Sequence, residues 1–311
     1  MTAGELLQLA WQTAAQTASY LFAFAFVLVL APLAHFALLA LAPVLRGRIG
    51  EGGAGRFGGL GAVAAASTSP LGRRAIEDDL RRAGSAPAAI VYLAVSHALT
   101  AYSWILLGPL LGKDFLLSHV VGVGLFVVIA AGLARITRVA TAAEGRPGSS
   151  SAPPGRGLPV LLGGAALRYV LLAVLGLALG GLIAAWGFSP WSWAPADLAR
   201  AGLGTQLANG ILGIALALLG VPPVANLFVG TYLWKVGLAH AGIVAFFCAA
   251  TAAPTRWRLY ARVFGRAAAG RLVASLVIAA LLAGLLTAWT FGAADLTIRY
   301  KLIPEQLWEV P

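Results

Sequence analysis

The feature that most limits what this chain can become is a series of long uncharged runs. Residues 6–45, 83–112, 115–134, 169–196, 201–234, 236–255 and 272–294 contain no Asp, Glu, Lys or Arg. A helix rises about 1.5 Å per residue, so about 20 apolar residues cross the hydrocarbon core of a bilayer. A chain that folds in water needs polar surface to cover its core. Here 60% of residues are hydrophobic and only 11% are charged, against about 25% in an ordinary soluble domain. The expected class is an all-α, polytopic integral membrane protein. A soluble enzyme, a disulfide-stapled secreted domain and a disordered chain are excluded on the same ground. The single cysteine, Cys248, offers neither a disulfide framework nor a thiolate metal site.

The runs differ in length, and the differences predict their roles. Residues 115–134, 236–255 and 272–294 each suit one crossing, and 83–112 suits a long or tilted one. The run 6–45 is too long for one. Its first part mixes Gln8, Gln12, Gln16 and Thr17 with Leu6, Leu7, Leu9 and Trp11, which predicts an interfacial helix before a crossing at about 20–44. In 169–196, Trp186, Trp191 and Trp193 mark a membrane interface and end that crossing near 187. Two stretches resist a simple span. Residues 201–234 carry Gly220-Val-Pro-Pro223, and proline removes a backbone donor and clashes with the preceding turn. Residues 57–84 carry Ser67-Thr68-Ser69-Pro70 between an apolar half and a charged half. Both read as broken helices or re-entrant hairpins, which membranes tolerate where protein or a watery cavity surrounds them. The sum is six crossings and two hairpins.

Charge fixes an expected orientation. The net charge is +11, and its arginines crowd into a few loops, so a membrane explains it without a nucleic-acid partner. Loops 46–56, 138–158 and 254–271 fall on one side. They hold Arg46, Arg48, Arg56, Arg138, Arg146, Arg156, Arg256, Arg258, Arg262, Arg266 and Arg271, against Lys113, Arg200, Arg299 and Lys301 on the other. The positive-inside rule makes the first side cytoplasmic and both termini external, in the inner (plasma) membrane of a prokaryote. No Lys or Arg precedes Arg46, so a cleaved signal peptide is not expected.

An internal repeat organises the chain. Pro70 and Pro223, Gly84 and Gly237, Trp104 and Trp257, and Gly112 and Gly265 are each 153 residues apart. At that offset, 84–93 (GSAPAAIVYL) and 237–246 (GLAHAGIVAF) agree at five of ten positions. The expected organisation is a first repeat with the interfacial helix at 1–138, a flexible Pro/Gly/Ser linker at 139–158, and a second repeat with an external tail at 159–311. Three crossings per repeat is an odd number, so the second copy lies inverted. Inverted repeats with paired broken helices are the architecture of secondary transporters, because free helix ends near the midplane can replace a solute's hydration shell.

The stretch from Ser69-Pro-Leu-Gly-Arg-Arg through Glu77-Asp-Asp to Tyr92-Leu93 resembles the first repeat of a predicted permease family that includes organoarsenical efflux permeases. Val221-Pro-Pro-Val-Ala-Asn226, Lys235-Val-Gly237 through Phe246, and Ala261-Arg-Val-Phe-Gly-Arg266 are similar to its second repeat. The resemblance implies a permease scaffold. Thiol-reactive cargo in that family goes with a Cys-rich first break, and this chain has Ser67-Thr68-Ser69 there, so thiolate chemistry is not implied. The Ser-Pro break followed by a charged half-helix also resembles membrane proteins with nucleoside-recognition or gate domains. That resemblance implies the second reading, a non-transporting module that holds partners.

Candidate functional residues follow from the breaks. Ser67, Thr68, Ser69 and Pro70 would contact solute through hydroxyls and freed backbone groups, or would simply cap a turn. Pro222, Pro223 and Asn226 form the matching break, with Asn226 either binding solute or satisfying the broken backbone. Lys235 is the only charge between Arg200 and Arg256. It marks a site unless it snorkels to an interface. His97 titrates near neutrality and would couple transport to protons, or it is merely hydrogen-bonded; His35, His119 and His240 rank below it. Asp78 and Asp79 would relay protons, or with Glu77 pair with Arg73, Arg74 and Arg82 one helical turn away. Gly84 and Gly237 would allow close helix packing. There is no Walker loop, His-Glu-x-x-His or Cys/His cluster. The expectation is a non-enzymatic permease that moves a small solute by alternating access. Its partners would be the bilayer, a small-molecule or ion substrate and, in an oligomer, further copies of itself. No cofactor or metal is called for.

Overall fold

The computed structural model describes residues 86–97, 113–139, 202–220, 223–235 and 238–293, most of 174–183, and single residues between 4 and 15 and at 77, 80, 107, 167 and 171. Among the described residues the fold is all-helical, without strands. Seven helices follow in order: α1 (Ala86–His97), α2 (Lys113–Ile136), α3 (Leu203–Leu218), α4 (Pro223–Lys235), α5 (His240–Ala249), α6 (Trp257–Phe264) and α7 (Arg266–Ala293). The expected crossing at 20–44, most of the hairpin at 57–84 and the linker at 139–158 lie outside the described residues. Residues 4, 5, 7, 8, 11, 12 and 15, within the expected interfacial helix, are helical, and Leu7 and Trp11 are exposed one turn apart.

Two of the helices, within α2 and α7, are long and apolar enough to span a membrane: Phe115–Ile136 and Arg266–Phe291. They run antiparallel. A Cβ on Gly122 would meet Thr287, near one end of the pair, and Thr137 and Ser275 approach to 3.5 Å near the other. Both helices lack internal proline, and each stops for a local reason. α2 ends where Arg138 takes a left-handed conformation, φ 50°. The Val139 amide then bonds back to the Ala134 carbonyl (2.9 Å) and the Arg138 amide to that of Arg135 (3.1 Å), the pairing of a Schellman cap. α7 begins after Gly265, φ 81°, whose carbonyl accepts from Ala269 at 2.9 Å.

The run 201–234 is interrupted as its prolines demand. α3 stops at Leu218, Gly220 turns the backbone at φ 79°, and α4 restarts on Pro223. Proline is favourable there because the first helical residue has no use for its amide.

The run 236–255 departs from the expected single crossing. Among its described residues only His240–Ala249 is α-helical, and 3-10 turns follow at Ala250–Ala252 and Pro254–Arg256. Extended Ala239 (ψ 170°) delays the start, and Ala253-Pro254 prevents continuation. Every residue of α5 is buried, as is every residue of α4 from Ala225 to Trp234. α5 packs most extensively on α3 and α7, and also touches α1, α2 and α4. Small residues make this possible. A Cβ on Gly213 would overlap the carbonyl of Gly242, and one on Gly284 would overlap that of Ala241. α4 is gripped on two sides: Gly176 and Gly180 of the segment Val174–Ile183 meet Ala225 and Tyr232, and Gly230 meets the Phe247 ring. Spacing glycines one turn apart lets helix backbones come into contact, and in lipid this packing replaces the hydrophobic drive.

Candidate functional site

Where α4 ends and α5 begins, a buried cluster of aromatic rings and two imidazoles gathers. The joint is a second break, because Leu238 bonds back to the Leu233 carbonyl at 2.9 Å and Ala239 is extended. Trp234 on α4 and His240 on α5 have ring centroids 4.9 Å apart. Phe115 on α2 stacks on His240 at 6.1 Å and tilts on Trp234 at 5.3 Å. His119, one turn along α2 from Phe115, meets Phe247 edge-on at 5.1 Å. Phe291 on α7 completes the group, 6.0 Å from His240. Four separate helices thus supply rings to one place, at the end of the bundle where α2 starts and α7 finishes.

The amide that fixes this joint is Asn209 on α3, fully buried. Its Oδ1 accepts from the Ala239 amide (2.9 Å) and its Nδ2 donates to the Thr205 carbonyl (2.8 Å). It serves α5 as a cap supplied from another helix, since Ala239 has no side chain that can do so. Four buried hydroxyls are satisfied by carbonyls three or four residues back in the chain. Ser118, Thr231, Thr251 and Thr287 donate to the carbonyls of Phe115, Leu227, Cys248 and Ala283 at 2.7–2.9 Å. This is the usual way to keep hydroxyls in apolar surroundings.

Asn226 breaks that pattern. It is 3% exposed, and its Oδ1 has no hydrogen-bond partner among the described residues. A buried acceptor left unmet costs about 1–3 kcal/mol. Asn226 therefore does not act as a plug for the broken backbone through that oxygen. It lies eight residues before Trp234 on α4, about 12 Å along the helix axis. Gly230, between them, is open enough to take the Phe247 ring.

The other expected site residues distribute as follows. Pro223 opens α4, Lys235 closes it, and His97 closes α1. Ser67, Thr68, Ser69, Pro70, Asp78, Asp79, Gly84, Pro222 and Gly237 lie outside the described residues. Glu77, expected to pair within its own helix, lies 3.7 Å from Arg262 of α6. The sequence reading ranked His119 and His240 below His97, yet these two line the cluster. Two signals pointed to them: His240 is three residues past Gly237, at a helix start, and His119 follows Phe115 by one turn. Nothing in the sequence singled out Asn209. Among the described residues no group of three or more His, Cys, Asp or Glu side chains could hold a metal ion.

Comparison of the chain with protein-family models, curated proteins and solved structures gives no match. Its function is therefore argued from its geometry.

Proposed function

We propose that this chain is a multi-pass membrane permease of a prokaryotic inner membrane, which moves a small solute by alternating access past the breaks that separate α3 from α4 and α4 from α5. The scheme is two inverted repeats of membrane-crossing and broken helices, in which the stretch holding α5 is an interrupted element and not a plain crossing, with the arginine-rich loops cytoplasmic. The observation that carries the reading is the unmet acceptor of Asn226, buried beside a helix break in a core where Ser118, Thr231, Thr251 and Thr287 are satisfied by nearby carbonyls. A protein retains such a group where something else supplies the missing donor. The antiparallel, membrane-length pair α2 and α7, the buried helix α5 and the buried stretch Ala225–Trp234 of α4 support the same reading.

The chemistry narrows the solute. Phe115, Trp234, Phe247 and Phe291 suit a largely apolar body. Asn226 Oδ1 accepts, so the solute carries an N–H or O–H donor. In this scheme His119 and His240, in the same ring cluster, would exchange a proton during transport.

Flux into liposomes holding the purified chain tests this, with a panel of small amines, alcohols and amides. Asn226→Leu is the decisive variant. It removes the unmet acceptor at nearly constant volume, so the protein should unfold no more readily than the parent while flux drops at least about tenfold. Parent-like flux through Asn226→Leu, or no flux of any panel member through the parent, would reject the proposal. The second outcome would favour the non-transporting, partner-holding reading.

A further inference from the structure

The end of the α2–α7 pair opposite the ring cluster is an exposed basic surface. α2 finishes with Arg135 and Arg138, α7 begins with Arg266 and Arg271, and α6 adds Arg258 and Arg262; all six are exposed. Arg271 Nη2 donates to the Arg138 carbonyl at 3.4 Å, which brings the two long helices together at this end. Glu77 offsets one of the charges, 3.7 Å from Arg262. Arg258 and Arg262 stand one helical turn apart, and like charges so spaced repel. A counter-ion on that face relieves the repulsion.

α6 has the form of a helix that lies in an interface. Its inner face, Tyr260, Val263 and Phe264, is buried, while Trp257 is 41% exposed beside the arginines. Tyr260 pins it by donating to the Thr251 carbonyl at the far end of α5. Exposed apolar side chains lead up to this surface from both long helices, Ile278 and Leu282 on α7 and Val128 and Ile136 on α2. On α7 the apolar stripe ends at exposed Trp289. The 18 steps from Arg271 to Trp289 cover about 27 Å at about 1.5 Å each, close to the hydrocarbon thickness of about 30 Å.

We propose that this surface, with α6 in the membrane plane, binds the phosphate-bearing headgroups of anionic phospholipids. The proposal rests on the membrane reading above and adds a lipid class that this reading does not require. The apolar stripe directly below the arginines is what selects a lipid over a free anion. Guanidinium groups bind phosphate oxygens through paired hydrogen bonds, and clustered basic residues at an interface favour anionic lipids.

The test uses the full-length chain in nanodiscs made from equal parts phosphatidylglycerol and phosphatidylcholine, with retained lipid counted by native mass spectrometry after extraction. The parent should retain phosphatidylglycerol at least about threefold over phosphatidylcholine. Arg258→Gln/Arg262→Gln should bring the ratio close to one, and Arg258→Lys/Arg262→Lys should keep most of it. An unchanged ratio in the Gln variant overturns the proposal. So does inorganic phosphate at millimolar concentration displacing the retained lipid, which would make the surface a free-anion site. Alkaline carbonate extraction of cell membranes separates the two levels. A chain released to the soluble fraction ends both readings, whereas one that stays in the membrane without lipid preference ends only this one.

Discussion

The buried pair α4 and α5 and the peripheral pair α2 and α7 come from stretches that look alike in sequence. Residues 236–255 and 272–294 are both uncharged and of spanning length, yet the first holds a ten-residue helix buried on all sides and the second lies in a 28-residue helix with an exposed apolar stripe. Hydropathy alone does not separate them. What separates them is where glycine and proline stand. Extended backbone at Ala239 and proline at 254 shorten α5, and Gly213, Gly242 and Gly284 let its neighbours close over it. A helix surrounded by protein can afford breaks and polar joints, whereas one facing lipid needs an unbroken hydrogen-bond ladder.

The sharpest way to break this contrast is to add side chains at the seams. Gly213→Val and Gly284→Val force a Cβ into the Gly242 and Ala241 carbonyls. Each should cost about 3 kcal/mol or more, read as a lowered midpoint in denaturant unfolding of the detergent-solubilised protein. A loss below 1 kcal/mol would mean α5 is not enclosed as described. Next in size is Asn209→Leu, which leaves the Ala239 amide without its acceptor. It should cost about 1–3 kcal/mol, and faster hydrogen exchange at residues 239–242 would show that the damage is local.

Tyr260→Phe removes the bond to Thr251 and should cost about 1 kcal/mol at neutral pH. Burial pushes the Tyr260 phenol above its ordinary range, and nearby Arg256 opposes this only in part. The sign follows: a folded-state pKa above the unfolded value gives stability that is present below about pH 10 and is lost as pH rises through the folded-state pKa. Parent protein should therefore lose stability on the alkaline side more steeply than Tyr260→Phe. Parallel curves would remove Tyr260 as the cause. The smallest effect belongs to α2, on the periphery, where a Cβ at Gly124 or Gly132 meets nothing within 4 Å. Alanine there should be neutral or stabilising by up to about 1 kcal/mol, and any clear loss would mean that this face of α2 is covered.

Much of this was legible beforehand. Charge-free length predicted α2 and α7, and Gly220 with the paired prolines predicted the gap between α3 and α4. Asn226 was visible as the one polar side chain of its break. The joint at Leu238 and Ala239 was not foreseen, because a glycine in an apolar run reads equally well as packing. The importance of Asn209 was hidden too, and the local signals for His119 and His240 were weak. Each matters through partners 30 or more residues away, as with Asn209 and Ala239 or Phe115 and His240, and local pattern carries no trace of such pairings. The inverted symmetry remains a proposal built on the 153-residue offset and on the odd number of crossings expected in each repeat.

The contact between α3 and α5 has a mechanical corollary. Where glycine meets glycine, at 213 and 242, no side chain interlocks with a facing groove, so the surface offers little resistance to slippage along the helix axes. A polar latch crosses that contact, the hydrogen bond from the Ala239 amide to Asn209 Oδ1. Release of that latch would free the two rods to shear past one another like a greased joint, with the rings at His240 carried along.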